Sequence, residues 1–494
     1  MSKIPEKQRA LVLQGGGALG AYEVGILKTL FLKLKDEDDD EDNPFFDIIA
    51  GTSIGAINAT ILVNYVTNKK KDNPNLAPME CWEGSIEKLE DFWTNILAVP
   101  TPVNARLISN GWWWQQNESK ENNSIATQEA ARRYYSTKQF FATGVNTVFS
   151  RPEIIYDTKF FDNFPYSPPN NVWYRYNNNP LRESIESVVG KNFSLKNKPY
   201  NSEINDNSAI EGPRLLIVSV DVEESDPVTF DSYGKLNNEG KIYEWKTEYG
   251  HNAKHTIRYD NGVTLDHVMA SATIPITYDY QEINGRKFWD GGVLSNTPLR
   301  ELIGRHKDFW KNEIGEEKLK EGKWKTGPKT TDNDKVPDLE IYVINVWPSK
   351  EENPPSNYDG VKDRYNDIRY NDKTKYDQTV TSLVSDYIHL VKRVENTAMD
   401  SFKNKDERDR FVKELDEILN DPVKSKSKKS DGKPKEYKDL LTGSVELTKV
   451  VRIEREDNRN DISSKFADFT SETINNLISR GEKDASKVLD NKTE

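Results

Sequence analysis

Cysteine is almost absent from this chain of 494 residues, with Cys81 as its single example. One cysteine cannot form an intramolecular disulfide, and nothing else in the composition indicates an oxidising compartment. The sequence also contains no uninterrupted apolar run of about 18 residues, the length that a membrane-spanning helix requires. We therefore expect a soluble globular protein whose fold depends neither on disulfides nor on a transmembrane segment.

Positive charge is also in deficit, because 69 Lys and Arg residues stand against 81 Asp and Glu residues, which gives a net charge of −12. This balance argues against nonspecific nucleic-acid binding and against a strongly basic membrane-docking surface. Residues 1–9 are polar and cannot serve as a cleavable secretory signal. We expect a cytoplasmic protein without a nucleic-acid partner, and secretion by a route that reads no cleavable signal stays open.

A nucleophile-elbow pattern lies about fifty residues into the chain. The apolar residues 45–50 predict a buried strand, and residues 54–63 predict the helix that follows it. Between them, Gly51-x-Ser53-x-Gly55 has the glycines that a sharp strand-to-helix turn needs on either side of an exposed serine. The alternative is that Ser53 only caps the helix.

A glycine cluster upstream favours the elbow. The strand predicted at residues 11–14 runs into Gly15-Gly16-Gly17-Ala18-Leu19-Gly20, and a helix is predicted over residues 22–34. Backbone N–H groups at such a helix end bind anions. The spacing also matches a dinucleotide fingerprint, but the next strand ends in Gly51-Thr52-Ser53 without the acidic residue that holds a ribose. The pattern therefore indicates an oxyanion hole.

The base for a serine nucleophile is the next question, because histidine is the usual choice. None of the five histidines lies in a motif typical of a catalytic turn; they are His251, His255, His267, His306 and His389. A better candidate is Asp290, which follows Phe288-Trp289 and precedes Gly291-Gly292. Taken alone, Asp-Gly-Gly is also common in hairpin turns.

Together the three motifs resemble those of the bacterial patatin-like phospholipases, and residues 270–275 (Ala-Ser-Ala-Thr-Ile-Pro) resemble the family's segment ahead of its aspartate. The resemblance extends over residues 8–64 and 214–300. It implies Ser53 as nucleophile, Asp290 as general base, Gly15, Gly16, Gly17 and Ile54 as oxyanion-hole donors, and Gly20, Gly51, Gly55, Gly291 and Gly292 as motif glycines.

The resemblance further implies a lipid acyl hydrolase of the phospholipase A or lysophospholipase type, which works through an acyl-enzyme and needs neither a metal nor a cofactor. Its substrate would be a phospholipid or lysophospholipid, met in peripheral contact with a membrane surface, and some relatives need a protein activator. Two alternatives stay open: an α/β-hydrolase-type esterase with a Ser-Asp-His triad using His306 or His389, and a catalytically silent lipid- or partner-binding protein. Acyl position, headgroup and oligomeric state are left undecided.

The predicted fold is a three-layer α/β/α core with a mostly parallel central sheet, because buried strands such as residues 215–222 and 339–347 alternate with helices. The core is expected at residues 1–64, 211–349 and 441–494. Residues 65–210 form an aromatic-rich insertion whose rings either make a small core of their own or line a lid over the site. Residues 350–440 are expected as a helical insertion with a lysine-rich loop, and the acidic residues 36–42 as a solvated loop rather than a calcium site.

Overall fold

The computed structural model describes residues 4–37, 43–111, 128–151, 175–200, 209–234, 262–315, 336–351, 353–425, 434–441 and 445–490. Several predicted features lie outside these ranges. They are most of the acidic run, the tryptophans at 112–114, His251, His255 and most of the lysine-rich loop.

The strands of the described residues form one large sheet and two small ribbons. In chain order they are β1 (Lys7–Leu13), β2 (Ile48–Thr52), β3 (Ser194–Leu195), β4 (Asn197–Lys198), β5 (Ile210–Glu211), β6 (Arg214–Asp221), β7 (Asp226–Asp231), β8 (Val263–Thr264), β9 (Gln281–Ile283), β10 (Arg286–Asp290), β11 (Asp338–Asn345) and β12 (Leu447–Glu454).

The large sheet has eight strands in the order β12-β11-β1-β2-β6-β10-β9, with β7 also paired to β6. The pairs from β12 to β6 are parallel, whereas β7, β9 and β10 join by antiparallel pairs. In the register of β1 and β2, Leu13 lies opposite Gly51. The carboxyl ends of these two strands are therefore neighbours, and the loops that leave them meet at one edge of the sheet.

The helices flank this sheet and fill most of the remaining described chain. They are α1 (Ala21–Glu37), α2 (Ile54–Asp72), α3 (Ser85–Asp91), α4 (Val103–Ser109), α5 (Gln128–Thr143), α6 (Asn179–Val189), α7 (Leu265–Ser271), α8 (Leu299–Ile314), α9 (Tyr358–Tyr370), α10 (Lys375–Ser401), α11 (Lys405–Leu419), α12 (Tyr437–Leu441) and α13 (Ser471–Asp490). Within the described ranges, no helix has both the length and the apolar character to cross a membrane.

Apolar cores lie on both faces of the sheet. Alternate residues of β1 point to opposite sides, so Leu11 and Leu13 belong to one buried cluster and Ala10 and Val12 to the other. The larger cluster lies under α1, α2 and α13, and the smaller one under α8. Two helical layers around a mostly parallel sheet confirm the predicted three-layer α/β/α fold.

Among the described residues of the 65–210 stretch, the aromatic side chains pack mainly into this shared core. Trp82 and Trp93 are fully buried in the larger cluster, and Trp93 stacks on Phe469 with ring centroids 6.4 Å apart. The interpretation of these two rings as a separate core of an insertion is therefore wrong. They are part of the core that α1, α2 and the C-terminal segment share.

Candidate active site

Ser53 lies at the turn between β2 and α2, in a strained backbone conformation with φ 55° and ψ −122°. Such a conformation costs on the order of 1–3 kcal/mol in a non-glycine residue. A side chain at Gly51 would place its Cβ 2.3 Å from the Gly55 carbonyl oxygen, and one at Gly55 would place it 2.5 Å from the Leu13 carbonyl oxygen. The close approach of these backbones explains the glycine on each side of the serine.

The elbow is stabilised by hydrogen bonds through Ser271, the last residue of α7. The Ser53 N–H donates to Ser271 Oγ over 2.9 Å, and the Ser271 hydroxyl donates in turn to the Val218 carbonyl oxygen. Residues 270–275 thus contact the elbow directly. The sequence indicated that this segment belongs to the site, but it gave no sign that Ser271 fixes the strained peptide.

Asp290 ends β10 and lies beside Ser53. Its N–H donates to the Thr273 carbonyl oxygen over 2.8 Å, and its carboxylate accepts from the Gly292 N–H over 2.7 Å. Burial raises the pKa of Asp290 to about 6, although hydrogen bonds from the Ser53 side chain and the Gly292 N–H oppose the rise. Both residues are at most 8% exposed, so the Ser53 hydroxyl and the Asp290 carboxylate are largely shielded from solvent.

The glycine loop approaches this pair from β1. A Cβ on Gly15 would lie 3.0 Å from Ser53 Cβ, and one on Gly20 would lie 2.6 Å from Ile54 Cγ1. The Gly15 N–H already donates to the Asn296 carbonyl oxygen over 3.1 Å. The prediction of Gly15 as an oxyanion donor is therefore wrong, since its N–H is used within the protein. The N–H groups of Gly16, Gly17 and Ile54, in contrast, have no backbone carbonyl acceptor in a loop or turn among the described residues.

Asn296 joins the glycine loop to the segment that carries Asp290. Its side-chain Nδ2 donates to the Gly15 carbonyl oxygen over 3.1 Å and to the Tyr370 carbonyl oxygen over 2.8 Å. The indole Nε1 of Trp347 also donates to the Gly15 carbonyl oxygen, over 2.6 Å. Neither residue was predicted from the sequence to belong to the site; the only signal was a polar residue six positions after Asp290.

Gln14 supports the same junction from the end of β1. Its fully buried amide donates to Thr297 Oγ1 over 2.8 Å and accepts from the Val346 N–H over 2.7 Å. The loops after β1, β10 and β11 are therefore cross-linked by side-chain amides. Such links fix the distance between the glycine loop and Asp290.

An apolar pocket lies at Ser53, with a cavity volume of about 60 Å³. Apart from Ser53, Thr277 and two tyrosines, its lining is glycine, aliphatic or phenylalanine. The lining residues are Gly17, Ser53, Ile54, Ile57, Phe141, Val148, Phe149, Tyr176, Leu181, Ala272, Ile274, Thr277, Tyr278, Phe466, Ala467 and Phe469. Such a lining suits a hydrocarbon chain whose polar end lies at the serine.

The described histidines have their contacts elsewhere. His306 is fully buried on α8, where its Nε2 lies 2.7 Å from the Pro337 carbonyl oxygen and burial lowers its pKa to about 3. His267 belongs to the capping box of α7, and burial lowers its pKa to about 4. His389 is exposed on α10, 3.0 Å from Glu446. Among the described residues, no group of His, Cys, Asp and Glu side chains has a metal-binding arrangement.

Comparison with known proteins places this architecture in a family. The family model described as patatin-like phospholipase matches residues 11–303, which is more than half of the chain. The chain therefore belongs to the patatin-like phospholipase family, whose members are typically lipid acyl hydrolases. The crystal structure of VipD from Legionella pneumophila aligns with a TM-score of 0.26 and 9% identity over 97% of this chain and 67% of that one. A comparison with curated proteins gave no match.

Proposed function

We propose that this protein is a serine carboxylic-ester hydrolase that releases fatty acids from phospholipids or lysophospholipids. The observation that carries the proposal is the buried Ser53–Asp290 pair, whose serine lines an apolar pocket. A strained serine elbow, a carboxylate with a raised pKa and an apolar pocket each occur singly in proteins that hydrolyse no ester. Their combination in one place is what ester hydrolysis of a lipid requires.

In the first half of the reaction, Asp290 accepts the Ser53 hydroxyl proton as Ser53 Oγ attacks the ester carbonyl carbon. The carbonyl oxygen becomes an oxyanion, which the N–H groups of Gly16, Gly17 and Ile54 stabilise. Collapse of this intermediate breaks the bond to the alcohol oxygen, and protonated Asp290 gives that oxygen its proton. The fatty acyl group then remains on Ser53 as an ester.

In the second half, water attacks the acyl-enzyme and Asp290 accepts a proton from it. The resulting intermediate releases Ser53 Oγ, which regains its proton from Asp290, and the fatty acid leaves. A base with a pKa of about 6 suits both halves, because it is ionised at neutral pH and still basic enough to accept a proton. No step needs a histidine, a metal or a cofactor.

The triad alternative is less well supported by the contacts of the described histidines. His306 is bound to the Pro337 carbonyl oxygen, and His389 is paired with Glu446 on the surface. A triad histidine would have to accept a hydrogen bond from Ser53. The hydrogen bond between the Ser53 side chain and Asp290 supports the aspartate as the base instead.

Peripheral contact with a lipid surface is the finer part of the proposal. Ile276, Val293 and Leu294 are 62%, 40% and 53% exposed, although all are large and apolar. Ile276 follows the pocket residue Ile274, while Val293 and Leu294 follow the Asp290 loop. Exposed apolar side chains next to a catalytic entrance are suited to insert between lipid headgroups.

The experiment that tests the proposal is fatty-acid release from vesicles of defined phospholipid and of lysophospholipid. We expect release by the wild type and by His389→Ala, and loss of release by Ser53→Ala and Asp290→Asn with unchanged circular dichroism. Release that survives Asp290→Asn would support a triad. If wild type and Ser53→Ala bound the vesicles equally and neither released fatty acid, even with cell extract as a source of activator, the protein would be a silent lipid-binding member of the family.

A further inference from the structure

The C-terminal residues 461–469, called here the C-terminal wall, lie outside the matched residues 11–303 and yet contact the candidate site. A short 3₁₀ helix at Lys465–Ala467 packs against the one at Gly17–Gly20. Gly17 has φ 56°, and a Cβ on it would lie 2.3 Å from the Phe466 carbonyl oxygen. The wall and the glycine loop thus touch through their backbones.

The same wall supplies one side of the apolar pocket. Phe466, Ala467 and Phe469 line it together with Ser53. The Phe466 ring lies 6.4 Å from the Phe141 ring, centroid to centroid. Phe466 is half-buried and is not one of the fully packed core residues, so its side chain can be changed at smaller cost to the fold.

Phe466 is one member of a connected row of rings over the pocket. Phe141 lies 6.2 Å from Tyr176, and Tyr176 lies 4.9 Å from Phe149. The Tyr176 N–H donates to the Thr277 carbonyl oxygen, so the far end of the row is fixed to the segment that leads to Tyr278. The row thus connects Phe466, beside the glycine loop, to the segment of Thr277 and Tyr278, which also lines the pocket.

A buried lysine holds the wall in place. The Lys465 side chain is fully buried, and its Nζ lies 2.5 Å from Asp367 Oδ1, 2.9 Å from Asp461 Oδ2 and 3.2 Å from Asp363 Oδ1. Asp363 and Asp367 belong to α9, so the lysine ties the wall to that helix. Arg455 and Arg133 also pair with Asp461, at 2.6 and 3.1 Å. An ion network of this kind is stable only when each charge keeps its partner.

Lys465 is connected to the glycine loop as well. Its Nζ lies 5.4 Å from the centre of the Trp347 ring, and the Trp347 indole donates to the Gly15 carbonyl oxygen. Lys465 therefore precedes Phe466 in the C-terminal wall and also contacts Trp347, the residue that is hydrogen-bonded to the glycine loop beside Ser53. A displacement of Lys465 would therefore alter the positions of both Phe466 and Trp347.

We propose that Phe466 is a specificity-determining residue that limits the length of the acyl chain, and that Lys465 is the positioning residue that holds it against the glycine loop. Because the pocket is assigned to the acyl chain, this proposal depends on the acyl-hydrolase function proposed above. The Phe466 ring occupies space that additional methylene groups would otherwise fill. Each methylene group gained or lost from such a pocket changes binding about fourfold.

The first test measures kcat/KM for p-nitrophenyl esters with six to eighteen acyl carbons. Phe466→Ala is expected to raise the ratio of long-chain to short-chain kcat/KM about 15-fold, the effect of two methylene groups, and Phe466→Trp to lower it. The matched control is Phe402→Ala, which removes a ring that packs on Phe411, 5.3 Å away, and does not line the pocket. An unchanged ratio in both Phe466 variants would overturn the proposal.

A binding measurement separates this proposal from the proposed function. Saturated fatty acids of the same lengths displace a fluorescent fatty acid from Ser53→Ala protein, with and without Phe466→Ala. A shift of the preferred length by about two carbons is expected even if no ester is hydrolysed. Failure of the wild type to hydrolyse would count against the proposed function, whereas an unshifted binding profile, or no fatty-acid binding at all, would overturn the role of Phe466.

The positioning role of Lys465 is tested by the same chain-length profile. Lys465→Met is expected to reduce the ratio between the highest and lowest kcat/KM of the chain-length series at least threefold. Lys465→Arg should retain more of this ratio, since the positive charge is kept. If Lys465→Met does not fold, Asp363→Asn removes only the longest of the three ion pairs. A variant that is less stable but has the wild-type profile would show that the lysine supports the fold alone and would overturn its positioning role.

Discussion

Asp290→Asn should make the protein more stable while it removes activity. The folded-state pKa of Asp290 is about 6, against an ordinary value of 3.8. The rise comes from burial, so the ionised carboxylate is held in an environment that disfavours its charge. The shift of about 2 pKa units corresponds to about 3 kcal/mol that ionised Asp290 subtracts from the free energy of unfolding at pH 8.

The sign of the pH dependence follows from the direction of the shift. Because the folded-state pKa lies above that of the unfolded chain, the destabilisation is complete well above pH 6 and is relieved as the pH falls from about 6 towards 3.8. At pH 5 roughly half of it remains by the same linkage relation. An asparagine carries no charge at either pH, and its side-chain oxygen can still accept from the Gly292 N–H.

The assay compares urea unfolding of the wild type and Asp290→Asn at pH 8 and pH 5. The advantage of the variant should be larger at pH 8 by about 1 kcal/mol, a difference in which any cost of packing the amide cancels. Asp386→Asn, a change on the exposed face of α10, is the control and should show no such difference. The quantity compared is the free energy of unfolding of Asp290→Asn minus that of the wild type. If this difference were equal at pH 5 and pH 8, or smaller at pH 8, the burial of an ionised Asp290 would be refuted.

Three further predictions concern the same site. The logarithm of kcat/KM should fall with unit slope below about pH 6, because Asp290 must be ionised to accept the Ser53 proton; an acid limb centred near pH 4 would contradict this assignment. Gly17→Ala should lower activity on the order of 100-fold, since its Cβ would collide with the Phe466 carbonyl oxygen at 2.3 Å, while Gly285→Ala, also at positive φ but with open space around it, should leave activity within about twofold. Asn296→Ala should lower kcat about tenfold with little change in KM, because it removes the side-chain hydrogen bonds that tie the Gly15 carbonyl oxygen to that of Tyr370 and not a contact with substrate; an effect confined to KM would contradict a bracing role.

Local patterns predicted the parts of this protein that depend on neighbours in sequence. The strand before Ser53, the helix after it and the glycines on either side follow from close packing of consecutive residues, and the structure has them at Ile48–Thr52 and Ile54–Asp72. The α/β class followed from buried strands such as Arg214–Asp221, in which every residue is buried. In each case the physical cause lies within about ten residues of the chain.

The parts that could not be predicted depend on residues that are far apart in sequence. The Gly15 N–H looked free for an oxyanion, but it donates to Asn296, 281 positions away. The rings of residues 65–210 were expected either in a small core of their own or in a lid, but Trp93 packs on Phe469 near the C-terminus. Lys465 lay in a polar stretch without a motif, and only the fold brings it to Asp363 and Asp367. Such partners are chosen by tertiary packing, which a pattern in one segment does not contain.

The most direct test of the Ser53–Asp290 pair is covalent labelling with a long-chain alkyl fluorophosphonate, followed by peptide mapping. A serine activated by its neighbour displaces fluoride and keeps the phosphonyl group. We predict one labelled site, Ser53, in the wild type, labelling at least about 100-fold slower in Asp290→Asn, and no label in Ser53→Ala. A label on another serine, or equal rates in wild type and Asp290→Asn, would contradict the account.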